Sequence, residues 1–139
     1  MIDRVSKNGC LLLNVGPRGE DAQIPEIQLE RLRWLGDFLA DNGEAIHGTK
    51  PWTRAEGATR EGIPVRFTQR EGRLYATLLG CPSARNVTFV DVPVEDGGDV
   101  RQLGTDSPVH AIREGGDLRV EITRDWADGP AHSFQLGRA

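Results

Sequence analysis

Residues 7–20 read KNGCLLLNVGPRGE. Cys10, Leu11, Leu12, Leu13 and Val15 form a short apolar run, and Gly16-Pro17 stops it. The run predicts a strand over residues 10–15, buried on both faces. Strands of that kind lie inside parallel sheets covered by helices. The run falls almost at the start of the chain, so the rest of such a sheet is expected to lie outside these 139 residues.

The flanks extend this reading. Residues 2–8 carry apolar Ile2 and Val5, which suits the last turns of a helix ending before Gly9. After the turn at residues 16–19, Pro25 opens a second helix, because the first helical position needs no N–H. Glu26 and Glu30 suit its early turns. Ile24, Ile27, Leu32, Leu35, Phe38 and Leu39 recur at helical spacing, and Asn42-Gly43 ends the helix. Helix end, strand, loop and helix amount to one and a half units of an α/β fold.

The pattern then changes. Short runs at residues 63–69, 73–79, 86–92, 100–103, 110–113, 117–123 and 132–136 are separated by turn residues. Glu71-Gly72 and Gly115-Gly116 suit tight hairpin turns. Leu118, Val120 and Ile122 alternate with Arg119, Glu121 and Thr123, the mark of a strand with one wet face. Strands at this spacing predict an antiparallel sandwich. The fold class is therefore α+β, with a boundary near residues 48–53.

Composition narrows the function. The net charge is -4 and the pI near 5.4, which speaks against a nucleic-acid surface. No apolar run approaches the roughly 18 residues of a membrane span, so no membrane partner is expected. Cys10 and Cys81 read as small buried hydrophobes rather than a disulfide. His47, His110 and His132 stand singly, without metal-ligand spacing, so neither a metal site nor a cofactor is expected. The turn at residues 16–19 lacks the longer Gly-rich pattern of a phosphate cradle.

VSKNGCLLLNVGPRG, followed by IPEIQLERLRWLGDFLADNGEAIHGTKPW, resembles the α-L-fucosidase family of glycoside hydrolases. IPVRFTQREGRLYATLLGCPSARNVTF is more loosely similar to that family's C-terminal β domain. The resemblance implies a catalytic (β/α)8-like barrel followed by a β-sandwich. On that basis residues 1–48 would be the last strand and helix of the barrel, and residues 49–139 the sandwich. Met1 would then stand inside a helix, so the chain reads as a C-terminal piece. Three departures stand out: Cys10 replaces a polar residue, His47 replaces an aromatic one, and the loop after Pro17 is one residue longer.

The resemblance further implies a retaining hydrolase of carbohydrate metabolism that removes terminal fucose from a fucosylated glycan or oligosaccharide. An extracytoplasmic location, secreted or periplasmic, is the family default. Retention needs two carboxyls about 5–5.5 Å apart. In the family both come from earlier barrel strands, so no catalytic residue is assigned here and the isolated chain is expected to be inactive. Barrel active sites lie at the C-terminal ends of the strands. Asn14 and Pro17 would therefore stand on the active-site rim. Asn42, Gly43, Ile46 and Trp52 would form the interdomain structure. Trp34 is expected to pack against neighbouring elements, which leaves Trp126 as the candidate for sugar contact. An exposed barrel remnant would favour self-association. The alternative is a non-catalytic carbohydrate-binding or structural β-sandwich module.

Overall fold

A computed structural model describes residues 1–95, 98–126 and 129–138. Helix α1 spans Ile2–Ser6 and α2 spans Glu26–Asn42, followed by a 3-10 turn at Gly43–Ala45. Eight strands come next: β1 Lys50–Ala58, β2 Pro64–Arg70, β3 Arg73–Leu78, β4 Asn86–Phe89, β5 Arg101–Gln102, β6 Val109–Glu114, β7 Asp117–Ile122 and β8 His132–Arg138.

The strands make two antiparallel sheets, β1-β2-β3-β8-β5 and β4-β7-β6. Their inner faces share one core. Val65, Phe67, Leu74, Ala76, Leu78, Phe134 and Leu136 come from the larger sheet, and Val87, Phe89, Leu118, Val120 and Ile122 from the smaller. The Phe89 and Phe134 rings meet edge-on at 5.7 Å across the gap. This is a β-sandwich. The expected alternation holds in β7, whose Leu118, Val120 and Ile122 are buried. The β2–β3 hairpin turns at Glu71 and Gly72, with φ of 53° and 76°. Two successive positive φ values match the right-handed twist of the flanking strands.

Two expectations change. Residues 10–15 join no sheet among the described residues, and Leu12 is 85% exposed. A strand exists only through a partner's backbone groups, and none is present here. Cys10 and Cys81, both expected to be buried, are exposed as well. The other change is β1, which was not expected. KPWTRAEGA offers Pro, Gly and two Ala in place of a β-branched run. It succeeds because it is an edge strand with a register shift between Pro51 and Glu56, a place that tolerates proline.

The outer face of the larger sheet is polar, yet its centre is covered. Tyr75 and Thr77 of β3 are buried although they point away from the sandwich core. The cover is the corner after α2. Asn42 Oδ1 accepts the Ser133 N–H at 3.2 Å, and the Thr68 hydroxyl donates to the Ala45 carbonyl at 2.8 Å. The Tyr75 hydroxyl donates to Glu44 Oε1 at 2.9 Å, while Arg101 pairs with Glu44 Oε2. Thr77 and Ser133 share a hydroxyl hydrogen bond of 3.0 Å beneath the corner. A Cβ at Gly43 would lie 2.8 Å from Cδ2 of the exposed His47 ring, which would have to turn aside. Burial pulls the Glu44 carboxyl up, but the hydrogen bonds from Arg101 and Tyr75 outweigh it and leave it below the usual range. Burial and the facing carboxylate push the Tyr75 phenol up.

At the other end, α1 lies on β1 and β2 through a quartet of charges. Lys7 Nζ reaches Asp3 at 3.0 Å and Glu56 at 2.8 Å, and Arg66 reaches the same two acids at 2.5 and 3.5 Å. Most of these side chains are half exposed, so salt screens them and they position more than they stabilise.

Two outcomes follow for stability. Glu44→Ala strands the hydroxyl of Tyr75, a residue only 2% exposed, and should cost about 1–3 kcal/mol in urea unfolding. The ion pair to Arg101 is half exposed and adds little. Tyr75→Phe in the Glu44→Ala background should therefore recover part of the loss; a purely additive pair of effects would contradict the clamp.

His132 supplies the second outcome. It is 5% exposed, its ring lies 5.1 Å from Trp126, and Nε2 has no hydrogen-bond partner among the described residues. Burial holds its imidazole below the ordinary value of 6.5. The unfolded chain then takes up a proton that the folded chain resists, so stability is full above the unfolded pKa and falls as pH drops below it. Between about pH 7 and about pH 5 this residue should dominate, because the downward-shifted carboxyls titrate lower. Denaturation midpoints across that window should decline, and His132→Leu should flatten the decline.

Candidate functional site

The loop between residues 9 and 25 carries the rim residues expected from the sequence. Asn14 and Pro17 are exposed. The loop's shape comes from other side chains. Gln28 Oε1, from α2, accepts the Gly16 N–H at 2.9 Å. Asp21 takes a forked pair from Arg18 and also accepts the Gln23 N–H at 3.0 Å. Backbone bonds from Arg18 to Gln23 and from Ala22 to Arg18, both 2.9 Å, close the turn. Asp21 is thus spent on holding its own loop.

Glycosidic cleavage needs one carboxyl that stays protonated near neutral pH and another opposite it. The acids whose pKa is displaced here all move the other way. Asp3 is held down by Arg66 and Lys7, Glu56 by Lys7, and Asp117 by the Asp91 N–H and Arg60. In Glu61, burial raises the carboxyl but the Thr88 N–H bonds at 3.0 and 3.1 Å prevail. These are structural acids. No group of three His, Cys, Asp or Glu able to hold a metal occurs among the described residues.

The corner residues are placed as follows. Asn42 bridges α2 and β8: its Nδ2 donates to the Phe38 carbonyl at 3.2 Å while Oδ1 takes Ser133. Ile46 is buried, and its carbonyl accepts the Thr49 hydroxyl at 2.9 Å. Trp52 belongs to β1 and lies 5.2 Å from Phe67 of β2. The Arg54 guanidinium sits over both rings, at 5.5 and 5.0 Å, and donates to the Val90 and Asp91 carbonyls. These contacts of Trp52 lie within the sandwich.

The two remaining tryptophans differ in burial. Trp126 is half buried against His132 and Phe134, with Nε1 donating to the Ala84 carbonyl at 2.6 Å. Trp34 is 65% exposed on α2. It borders a cavity of about 320 Å³ between the C-terminal half of α2, the loop after β5 and the approach to β8. Asp37, Phe38 and Asp41 line it from the helix, Gln102 and Thr105 from the opposite side. Sequence reasoning passed over this group. Its signal is the spacing: Trp34, Asp37, Phe38 and Asp41 fall at i, i+3, i+4 and i+7, on one helical stripe.

With this geometry established, the chain can be set beside known proteins. The sequence profile of the α-L-fucosidase family matches residues 1–44. An α-L-fucosidase of Branchiostoma floridae is 42% identical over 89 residues, which is 64% of this chain and 19% of that protein. The plasma α-L-fucosidase of Homo sapiens is 30% identical over 125 residues, 88% of this chain and 26% of that protein. A solved Thermotoga maritima α-fucosidase in complex with fucose superposes with a TM-score of 0.80 and 34% identity, over 96% of this chain and 32% of its own. The chain spans about a fifth to a quarter of the length of the curated relatives it matches. Matched through its loop and helix by the profile and along nearly all of its fold by a solved member, it belongs to the α-L-fucosidase family.

Proposed function

We propose that this chain is the C-terminal part of a retaining α-L-fucosidase that removes terminal fucose from fucosylated glycans. Residues 1–48 are, on this reading, the last strand and helix of a (β/α)8-like barrel, and residues 49–139 its sandwich. The observation that carries it is uncovered apolar surface. Leu11, Leu12, Leu13 and Ile27 are exposed beside a sandwich whose own core is closed. Soluble proteins seldom leave several large aliphatic residues open together unless something packs on them. The profile match falls on that same part of the chain. Fucose in the Thermotoga maritima relative supports a fucosylated substrate.

The assignment divides the labour. The upstream barrel supplies the two carboxyls, and Asn14 and Pro17 stand at the rim of its mouth. The corner at Asn42, Gly43 and Ile46 couples barrel to sandwich. The isolated chain hydrolyses nothing, because positioning contributes roughly 7–11 kcal/mol to catalysis in favourable cases and the opposing wall is elsewhere. On an aryl α-L-fucoside, the purified chain should show no turnover, while a longer protein extended upstream through the barrel should. Turnover by the short chain that disappears in Glu20→Ala or Asp21→Ala would refute the assignment.

The same surface sets the association state. Open apolar patches and unpaired backbone groups promote contact between copies. In sedimentation the chain should run as oligomers, and the triple variant Leu11→Ser, Leu12→Ser, Leu13→Ser should shift toward monomer. Identical profiles for the two would count against the barrel-facing assignment.

A further inference from the structure

We propose that Asp3, Lys7, Glu56 and Arg66 form an ionic latch that holds α1 to the outer face of the larger sheet and releases it without unfolding the sandwich. The latch rests on these contacts alone; its bearing on the rim at Asn14 and Pro17 rests on the function proposed above.

Helix α1 cannot hold itself. It has five residues and no side-chain cap, and helices shorter than about 12 residues are marginal in water. Apolar packing adds little. The buried residue of α1 is Ser6, while Ile2 and Val5 are half-buried. The Ser6 hydroxyl donates to the Asp3 carbonyl at 3.1 Å, within the helix, and so does not bond the sheet.

What reaches the sheet is charge. Glu56 and Arg66 stand opposite each other on β1 and β2. Asp3 and Lys7 lie one turn apart on α1. Their contacts close a ring: Asp3 to Lys7 at 3.0 Å, Lys7 to Glu56 at 2.8 Å, Glu56 to Arg66 at 3.5 Å and Arg66 to Asp3 at 2.5 Å. Signs alternate around it, so each charge is paired with two of opposite sign. An isolated surface pair contributes little, but a network of fixed geometry contributes more. Arg66 fixes the geometry, since its side chain is 16% exposed and Nη1 donates to the Val65 carbonyl at 3.0 Å.

Placement gives the ring its consequence. Val65 and Phe67 enter the core, so Arg66 and Thr68 are successive outward residues of β2. Arg66 holds α1, and Thr68 holds the corner after α2 through the Ala45 carbonyl. The segment between the two helices thus hangs from neighbouring points of one strand. The attachments differ in kind. The Thr68 and Asn42 bonds are buried, whereas Lys7, Asp3 and Glu56 are 43%, 44% and 56% exposed. Water and salt reach the ring, so α1 opens first and the sandwich stays closed. Opening loosens Gly9, whose N–H closes α1 on the Arg4 carbonyl at 2.7 Å, and with it the start of the rim segment.

The test is pulsed hydrogen exchange of the 139-residue chain, read by mass spectrometry at residues 1–9 and at residues 73–78 of β3. Two half inversions reverse the charges on one side of the contact: Asp3→Lys with Lys7→Glu on the helix, and Glu56→Lys with Arg66→Glu on the strands. Each turns the helix-to-strand attractions into repulsions and should speed exchange at residues 1–9 about tenfold. The combined variant restores the alternation. It differs from the helix inversion only outside α1, and it should return toward the wild-type rate. In the unmodified chain, raising sodium chloride from about 0.01 M to about 1 M shortens the screening length from about 30 Å to about 3 Å and should speed exchange at residues 1–9 several-fold. Residues 73–78 should keep their rate throughout. If a half inversion unfolds the sandwich, the salt comparison decides. Exchange at residues 1–9 that ignores salt, a combined variant as open as the helix inversion alone, or protection lost at residues 73–78 together with 1–9 at high salt would overturn the latch. No turnover is measured, so failure of the latch and failure of the fucosidase reading are separate results.

Discussion

Everything in this structure turns on the corner that follows α2. Asn42, Glu44 and Ala45 present two acceptors and a carboxylate to an outer sheet face of hydroxyls and amides. The contact is polar on both sides, so it is specific in a way that an apolar one is not. A slide of one residue would leave Tyr75, Ser133 and Thr68 without partners while still burying them. An unmet buried hydrogen bond costs more than a made one contributes, and that asymmetry fixes α2 to the sandwich in one register. It also explains why β3 is buried on both faces although it lies in an antiparallel sheet, where one face is commonly wet.

How much of this was legible depends on the range of the interaction. The hairpins were readable because their signals are local. Glu71-Gly72 requires positive φ at two residues, and the flanking strands must then pair. Alternation in β7 was readable because the core lies on one side of it. The helix was readable to within a residue at each end, since Pro25 and Asn42-Gly43 mark it. Residues 10–15 show the limit. Their composition specifies burial, but burial is a property of what surrounds a segment, and here little does. Cys10 and Cys81 were misjudged for the same reason: an apolar residue reports its preference, not its neighbours.

The site reading shows the same division. That this chain holds no catalytic pair could be argued from the resemblance alone, which puts both carboxyls on earlier strands. That Asp21 holds its own loop through Arg18 and the Gln23 N–H could not, since nothing in PRGEDAQ fixes how the turn closes. Glu44 was placed in the interdomain segment, yet its partners Tyr75 and Arg101 lie 31 and 57 residues away. Pairings of that span emerge only once the sheet order is known.

Helix α2 joins these themes. Its 17 residues rise about 26 Å at 1.5 Å each, and Asn42 in its last turn bonds the sandwich. The C-terminal end is therefore committed: Asn42 bonds β8 and Asp41 abuts Gly104. The N-terminal end carries exposed Ile27 and holds the loop through Gln28 and Gly16. A rigid rod fixed at one end transmits its orientation to the other. Whatever packs on Leu11, Leu12, Leu13 and Ile27 is thereby set at a defined angle to the sandwich, and the polar corner is the pivot that determines it. A catalytic rim built on Asn14 and Pro17 would inherit its position from hydrogen bonds made at the far end of that helix.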